Sequence, residues 1–186
     1  MLDVPLRSGP DVRWESGPPA TDAVGPPAVS GARVLPGQRA HGGPGVVACH
    51  RDSGTVTWTA VGDADGEIGA TGLAVADGVA VAGLLYGRPR DVERGGVAAP
   101  DTEDGAVRWT VALGDRYATD VAVAGDLVLV GLSGTGPVAD PVRAFDLEAG
   151  TERWRVALPV GVAAVAPVEG TAVVACRDGS VHALRD

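Results

Sequence analysis

Apolar and polar positions follow a pattern that repeats from one end of this chain to the other. An apolar run, a turn with glycine and a second apolar run recur as PPAVSGARVLPG from Pro26, TGLAVADGVAVAG from Thr71, DVAVAGDLVLVG from Asp120 and AVAPVEGTAVVAC from Ala164. Short β-branched runs broken by glycine predict pairs of antiparallel strands. No segment sustains a helical apolar period, so helices are not expected.

A second pattern interleaves with the first. Tryptophan stands at Trp14, Trp58, Trp109 and Trp154, at intervals of 44, 51 and 45 residues. Gly54, Gly105 and Gly150 each lie four residues before a tryptophan, and His50, Asp101 and Asp146 lie four residues before those glycines. Glycine in such a cluster predicts a tight turn that requires positive φ. Each turn joins a strand ending near ACH or AFD to the strand that carries the indole. One unit is therefore four short strands, and a period of this size points to a propeller or a solenoid. Valine and alanine, 60 of the 186 residues, suit crowded inner strands, and one indole per unit can fill the wider space near a rim.

These residues resemble the PQQ-like β-propeller repeat, whose signature is approximately A-x-D-x-x-T-G-x-x-x-W. Ala144 to Trp154 matches it best. The segment from Ala48 to Trp58 has His50 where Asp is usual, and the unit at Trp14 has its glycine displaced to Gly9. The resemblance implies that each tryptophan sits on the outermost strand of a blade and packs against the neighbouring blade. The expected fold is all-β, a propeller of about four four-stranded antiparallel blades filling residues 1–186. The blades should span about 23–60, 70–112, 117–157 and 162–186. The last lacks an outer strand, which the N-terminal strand, about 10–16, is expected to supply. In that arrangement Trp14 should lie near Val173 and Val181. A closed four-bladed ring, half of a dimeric eight-bladed ring and a piece of a longer protein all fit this phase.

Charge narrows the partners. With 24 acidic and 15 basic residues the formal charge is −9, which disfavours nucleic acid and anionic lipid. The start, MLDVPLRSGPDVRW, has no apolar core of a secretory signal, and the apolar stretch from Ala157 to Val168 is too short to span a membrane. A cytoplasmic location with no membrane span is the expectation. Cys49 and Cys176 fit no metal spacing and read as buried free thiols.

Candidate chemistry is sparse. Members of the resembled family that are enzymes carry a vicinal cysteine pair, a calcium site built from Glu and Asn, and a catalytic Asp. This chain has no Asn and no vicinal cysteines, so no catalytic residue, cofactor site or metal site is expected. Gly62 to Ile68 contains D-A-D-G-E-I, the middle of a calcium loop, but Val61 and Gly72 stand at the outer ligand positions. Gly131-Leu132-Ser133-Gly134-Thr135 approaches a nucleophile elbow without the helix that motif needs, and reads as a loop serine. His41, His50 and His182 share no ligand spacing. The longer links, Pro36–Pro44 and Tyr86–Gly96, are better candidates, because function concentrates on loops. They offer Arg39, His41, Arg88, Arg90 and Arg94 as partner-binding residues. The expected function is a non-enzymatic propeller acting as a binding or scaffold module for an unidentified protein, with homodimerisation open. A fragment of a PQQ-dependent oxidoreductase and the sensor part of a split, kinase-associated signalling protein are the alternatives.

Overall fold

The computed structural model describes residues 12, 14–15, 22–23, 26–41, 44–62, 67–88, 91–134 and 140–185. Its strands begin with β1 (Asp22–Ala23), β2 (Ala28–Ser30), β3 (Arg33–Leu35), β4 (Gln38–His41), β5 (Pro44–His50) and β6 (Val56–Gly62). They continue with β7 (Glu67–Ala76), β8 (Val79–Arg88), β9 (Asp91–Pro100), β10 (Val107–Gly114), β11 (Arg116–Ala124) and β12 (Leu127–Gly134). The last are β13 (Asp140–Asp146), β14 (Glu152–Leu158), β15 (Val162–Val168), β16 (Thr171–Cys176) and β17 (Val181–Leu184). No helix occurs among the described residues.

These strands form four antiparallel sheets, each one blade. The first is β2-β3-β5-β6, the third β11-β12-β13-β14, and the fourth only β15-β16-β17. The second is the meander β7-β8-β9-β10, widened by β4 and β1 into a six-stranded sheet. That widening departs from the expected four-stranded blade. Gln38–His41 lies in the Pro36–Pro44 stretch, expected to be a link, yet it forms a strand along β7. The Tyr86–Gly96 link is likewise mostly ladder, since β8 runs to Arg88 and β9 starts at Asp91. The glycines and prolines that read as loop signals leave enough backbone donors and acceptors to extend an existing edge.

The core lies between blades. Val46, Ala48 and Trp58 of the first blade pack on Ala80, Ala82 and Ala98 of the second. Val97, Ala99 and Trp109 of the second meet Val128, Val130 and Phe145 of the third. Val142 and Ala144 of the third meet Val165, Ala172 and Val174 of the fourth. Small side chains let neighbouring sheets approach closely, which explains the valine and alanine content. Polar locks cross the same joints on the inner strands. Thr71 Oγ1 donates to the Ala118 carbonyl at 2.5 Å, and the Val165 amide donates to Asp120 Oδ2 at 2.9 Å.

Trp58 and Trp109 are each fastened to the following blade. Trp58 Nε1 donates to the Thr102 carbonyl at 3.0 Å, and Trp109 Nε1 to that of Leu147 at 2.8 Å. Gly105 and Gly150, at φ +77° and +66°, lie beneath these rings; a Cβ at Gly105 would stand 2.7 Å from Trp58, and one at Gly150 2.5 Å from Trp109. Glycine is thus demanded twice, by backbone conformation and by the plane of the indole. Trp14 Nε1 makes the corresponding bond to the Arg51 carbonyl at 2.7 Å. The indole therefore sits over the first blade's turn, and Val181, expected beside Trp14, is 66% exposed. The reason is general to the fold: the outer tryptophan packs forward on the next blade, not back on the third strand of its own.

Candidate functional site

The links between second and third strands gather at the end of the sheets opposite the glycine turns. There β7 pairs with β4 on one side (Arg39↔Gly69, His41↔Glu67) and with β8 on the other (Ile68↔Tyr86, Gly69↔Leu85). β8 in turn pairs with β9 (Tyr86↔Arg94, Arg88↔Asp91). Two links far apart in sequence thus bring Arg39, His41, Arg88 and Arg94 to one end of one sheet. From β4 to β9 is three interstrand steps, about 14 Å. Arg90 lies outside the described residues.

This ladder leans on the third blade. A Cβ at Gly95 would stand 1.9 Å from the Arg116 carbonyl, so only glycine admits that contact. Beside it the exposed Arg94 holds its guanidinium 5.1 Å from the centre of the Tyr86 ring. Tyr117 follows Arg116, and its hydroxyl accepts a 3.3 Å hydrogen bond from Arg177, in the turn after β16 of the fourth blade. Both tyrosines of the chain therefore share this face with Arg94, Arg116 and Arg177, across three blades. Tyr117 and Arg177 were not among the sequence candidates; the two-tyrosine composition was the available signal. Tyrosine and arginine are the residue types that dominate protein–protein hot spots, and a planar guanidinium suits a carboxylate.

The opposite face, that of the turns, is acidic and largely self-satisfied. Asp101 Oδ1 accepts the Glu103 amide at 2.7 Å, and its Oδ2 pairs with Arg108 at 2.7 Å. Asp146 Oδ1 accepts the Glu148 and Ala149 amides at 3.0 and 2.8 Å, while Oδ2 pairs with Arg153. The guanidinium beside each carboxylate, aided by the turn amides, holds Asp101 and Asp146 below the usual carboxylate range. On the link face, next to Arg177, the Ser180 hydroxyl and amide lower Asp178 in the same way. In the first blade His50 Nδ1 accepts the Asp52 amide at 3.3 Å, and Thr57 replaces the arginine before the tryptophan. Acid and base are thus replaced together.

The remaining motifs assemble no reactive group. Ser133, expected on a loop, is buried on β12, because that strand continues to Gly134 in register with Arg116. Residues 63–66 of the calcium-like stretch lie outside the described residues. Cys49 and Cys176 are buried free thiols on β5 and β16. Among the described residues no three His, Cys, Asp or Glu side chains converge as metal ligands. A groove of about 690 Å³ between the third and fourth blades is lined by Trp154, Val156, Val168 and Leu184.

The family model described as outer membrane protein assembly factor BamB, a PQQ-like repeat family, matches residues 42–186. The chain belongs to this family. No curated protein sequence matches significantly. Among solved structures, the computationally designed Ika4 protein aligns at TM-score 0.73 and 16% identity, covering 95% of this chain and 98% of that one. BamB from Moraxella catarrhalis aligns at TM-score 0.62 and 22% identity, covering 89% of this chain and 47% of that one. Quinohemoprotein alcohol dehydrogenase from Comamonas testosteroni aligns at 0.66 and 14%, over 88% of this chain and 33% of the enzyme. These likenesses establish the propeller architecture. The PQQ-like chain spans about half the length of that BamB and a third of that dehydrogenase, and the fold hosts both an assembly factor and an oxidoreductase.

Proposed function

We propose that this PQQ-like propeller is a non-catalytic module that binds a protein partner through the face carrying Tyr86, Arg94, Tyr117 and Arg177. The observation that supports the reading is the grouping of both tyrosines with arginines from three blades, in a chain whose charge is otherwise acidic. The family description as an assembly factor favours the same class of role. The arginines suit an acidic segment on the partner. Comparing extract proteins retained by immobilised wild type and by a Tyr86→Ala/Arg94→Ala/Arg177→Ala variant tests it. A protein should be retained by the first and lost from the second; equal retention removes this face as the site.

The likeness to a quinohemoprotein dehydrogenase gives the competing reading, a piece of a quinone-dependent oxidoreductase. Adding PQQ and calcium to the purified chain should give no dye reduction with alcohols or sugars. Turnover above the level of free quinone would favour the oxidoreductase.

A further inference from the structure

The repeat that builds the turn face is broken in one blade, and the breaks gather on one row of side chains. Strand register sets three positions side by side at that end of each of the first three sheets. In the second blade they are Ala76, Val79 and Asp101, and in the third Ala124, Leu127 and Asp146. In the first they are Ser30, Arg33 and His50. Directly opposed residues share one face of a sheet. The Ser30 hydroxyl meets that of Thr102 at 3.4 Å, so this row faces the second blade across the joint. Two apolar residues and an acid have become a hydroxyl, a guanidinium and an imidazole.

Packing does not call for an arginine here. Val79 is buried and Leu127 half-buried, each against the following blade, so the place suits an apolar side chain. Arg33 nevertheless buries its Nε, which has no hydrogen-bond partner. An unpaired N–H shielded from water is destabilising, and more so on a charged group. Among the described residues no carboxylate pairs with it. Asp101 is held by Arg108 and the Glu103 amide, and Asp52 lies against Arg51. The groups beside Arg33 are donors as well. His50 Nδ1 accepts the Asp52 amide, which leaves the ring proton on Nε2. The Ser30–Thr102 pair keeps one hydroxyl hydrogen to donate. At the second joint the corresponding notch, about 480 Å³, is lined by Val79, Arg108, Asp146 and Glu148, where base meets acid. The first joint presents donors without an acceptor.

We propose that this row binds a phosphate group, with the Arg33 guanidinium as its main partner and His50 Nε2 and the Ser30–Thr102 hydroxyls as further donors. A guanidinium engages an oxyanion through parallel N–H donors. The donors come from β2, β3, β5 and the facing turn. A tetrahedral group whose acceptor oxygens point several ways suits them better than a planar carboxylate. The site lies at the opposite end of the sheets from the tyrosine–arginine face, so either can fail without the other.

Titrating inorganic phosphate into the intact chain at constant ionic strength, followed by NMR, tests this. The Arg33 Nε–H signal should shift and saturate with phosphate, stay still with chloride, and respond more weakly to acetate. Arg33→Leu installs the residue that the third blade carries at this place. It should fold, with far-UV circular dichroism unchanged, and weaken phosphate binding, read at the Thr102 amide, about tenfold or more. His50→Asp, which restores the acid of the repeat, should do the same by pairing Arg33 from within, and serves if Arg33→Leu does not fold. An intact chain that shows no saturating shift, or the same shift with chloride, overturns the proposal. Acetate bound as tightly as phosphate, or a folded variant of either kind with unchanged affinity, overturns it as well.

Discussion

Trp109 and Trp154 occupy the same place in successive repeats and meet different fates. Trp109 is 9% exposed, donates to a carbonyl of the next blade and rests on Gly150. Trp154 is half-buried and borders an open groove, and among the described residues no carbonyl receives its indole N–H. The repeat fixes which residue is present, and the following blade fixes what it does. Identical motif residues therefore carry unequal energy, and a sequence signature alone would rank them alike.

The sharpest break of that comparison is to remove each indole. Trp109→Ala should cost about 3–5 kcal/mol, a large share of a typical domain's stability of about 5–15 kcal/mol. Trp154→Ala should cost only about 1–2 kcal/mol, since part of its surface already meets solvent. Urea denaturation reads both, and equal losses would mean that Trp154 is seated as firmly as Trp109. Two glycines at positive φ, one beneath an indole and one in the open β16–β17 link, should differ in the same sense. Gly150→Ala meets both a positive φ of +66° and a ring 2.5 Å away, so it should lose about 2 kcal/mol or more. Gly179→Ala, at φ +88° with nothing within 4 Å, should lose only the conformational cost, about 1 kcal/mol. Thermal melts of the two variants separate clash from strain.

The smallest effect is electrostatic. Asp146 is held below its ordinary value of 3.8 by Arg153, so its folded form binds the proton less readily than the unfolded chain does. Its contribution to stability is complete above that ordinary value and is lost as pH falls through the lowered one. Asp146→Asn should therefore flatten the acid limb of a stability-against-pH curve without altering the neutral plateau's shape. An unchanged acid limb would show that the pair with Arg153 adds nothing in solution.

The propeller was legible because each period carries two chemical outliers, a tryptophan and the glycine beneath the preceding one. Those side chains have one place to go in a fold of small residues. Strand β4 was not legible, because its pairing with Glu67–Gly69 uses backbone groups and leaves no mark on the identity of Gln38–His41. The Tyr86–Gly96 ladder was hidden for the same reason. The partnership of Asp101 with Arg108 and of Asp146 with Arg153 was readable in principle from their shared seven-residue spacing and the paired replacement by His50 and Thr57. The link face was half visible: Arg94 was a candidate from charge, but Tyr117 and Arg177 meet only through contacts between blades.

Because Trp58 and Trp109 reach forward into the next glycine turn, the joints between the first three blades are plugs and sockets of one polarity. A stretch of chain from one socket to the next plug carries all that is needed to join a neighbour on either side. Units of this kind can be added or removed in whole periods without redesigning a joint, as links are added to a chain. A protein of any number of blades can then arise by duplication alone, provided that its last plug finds a socket.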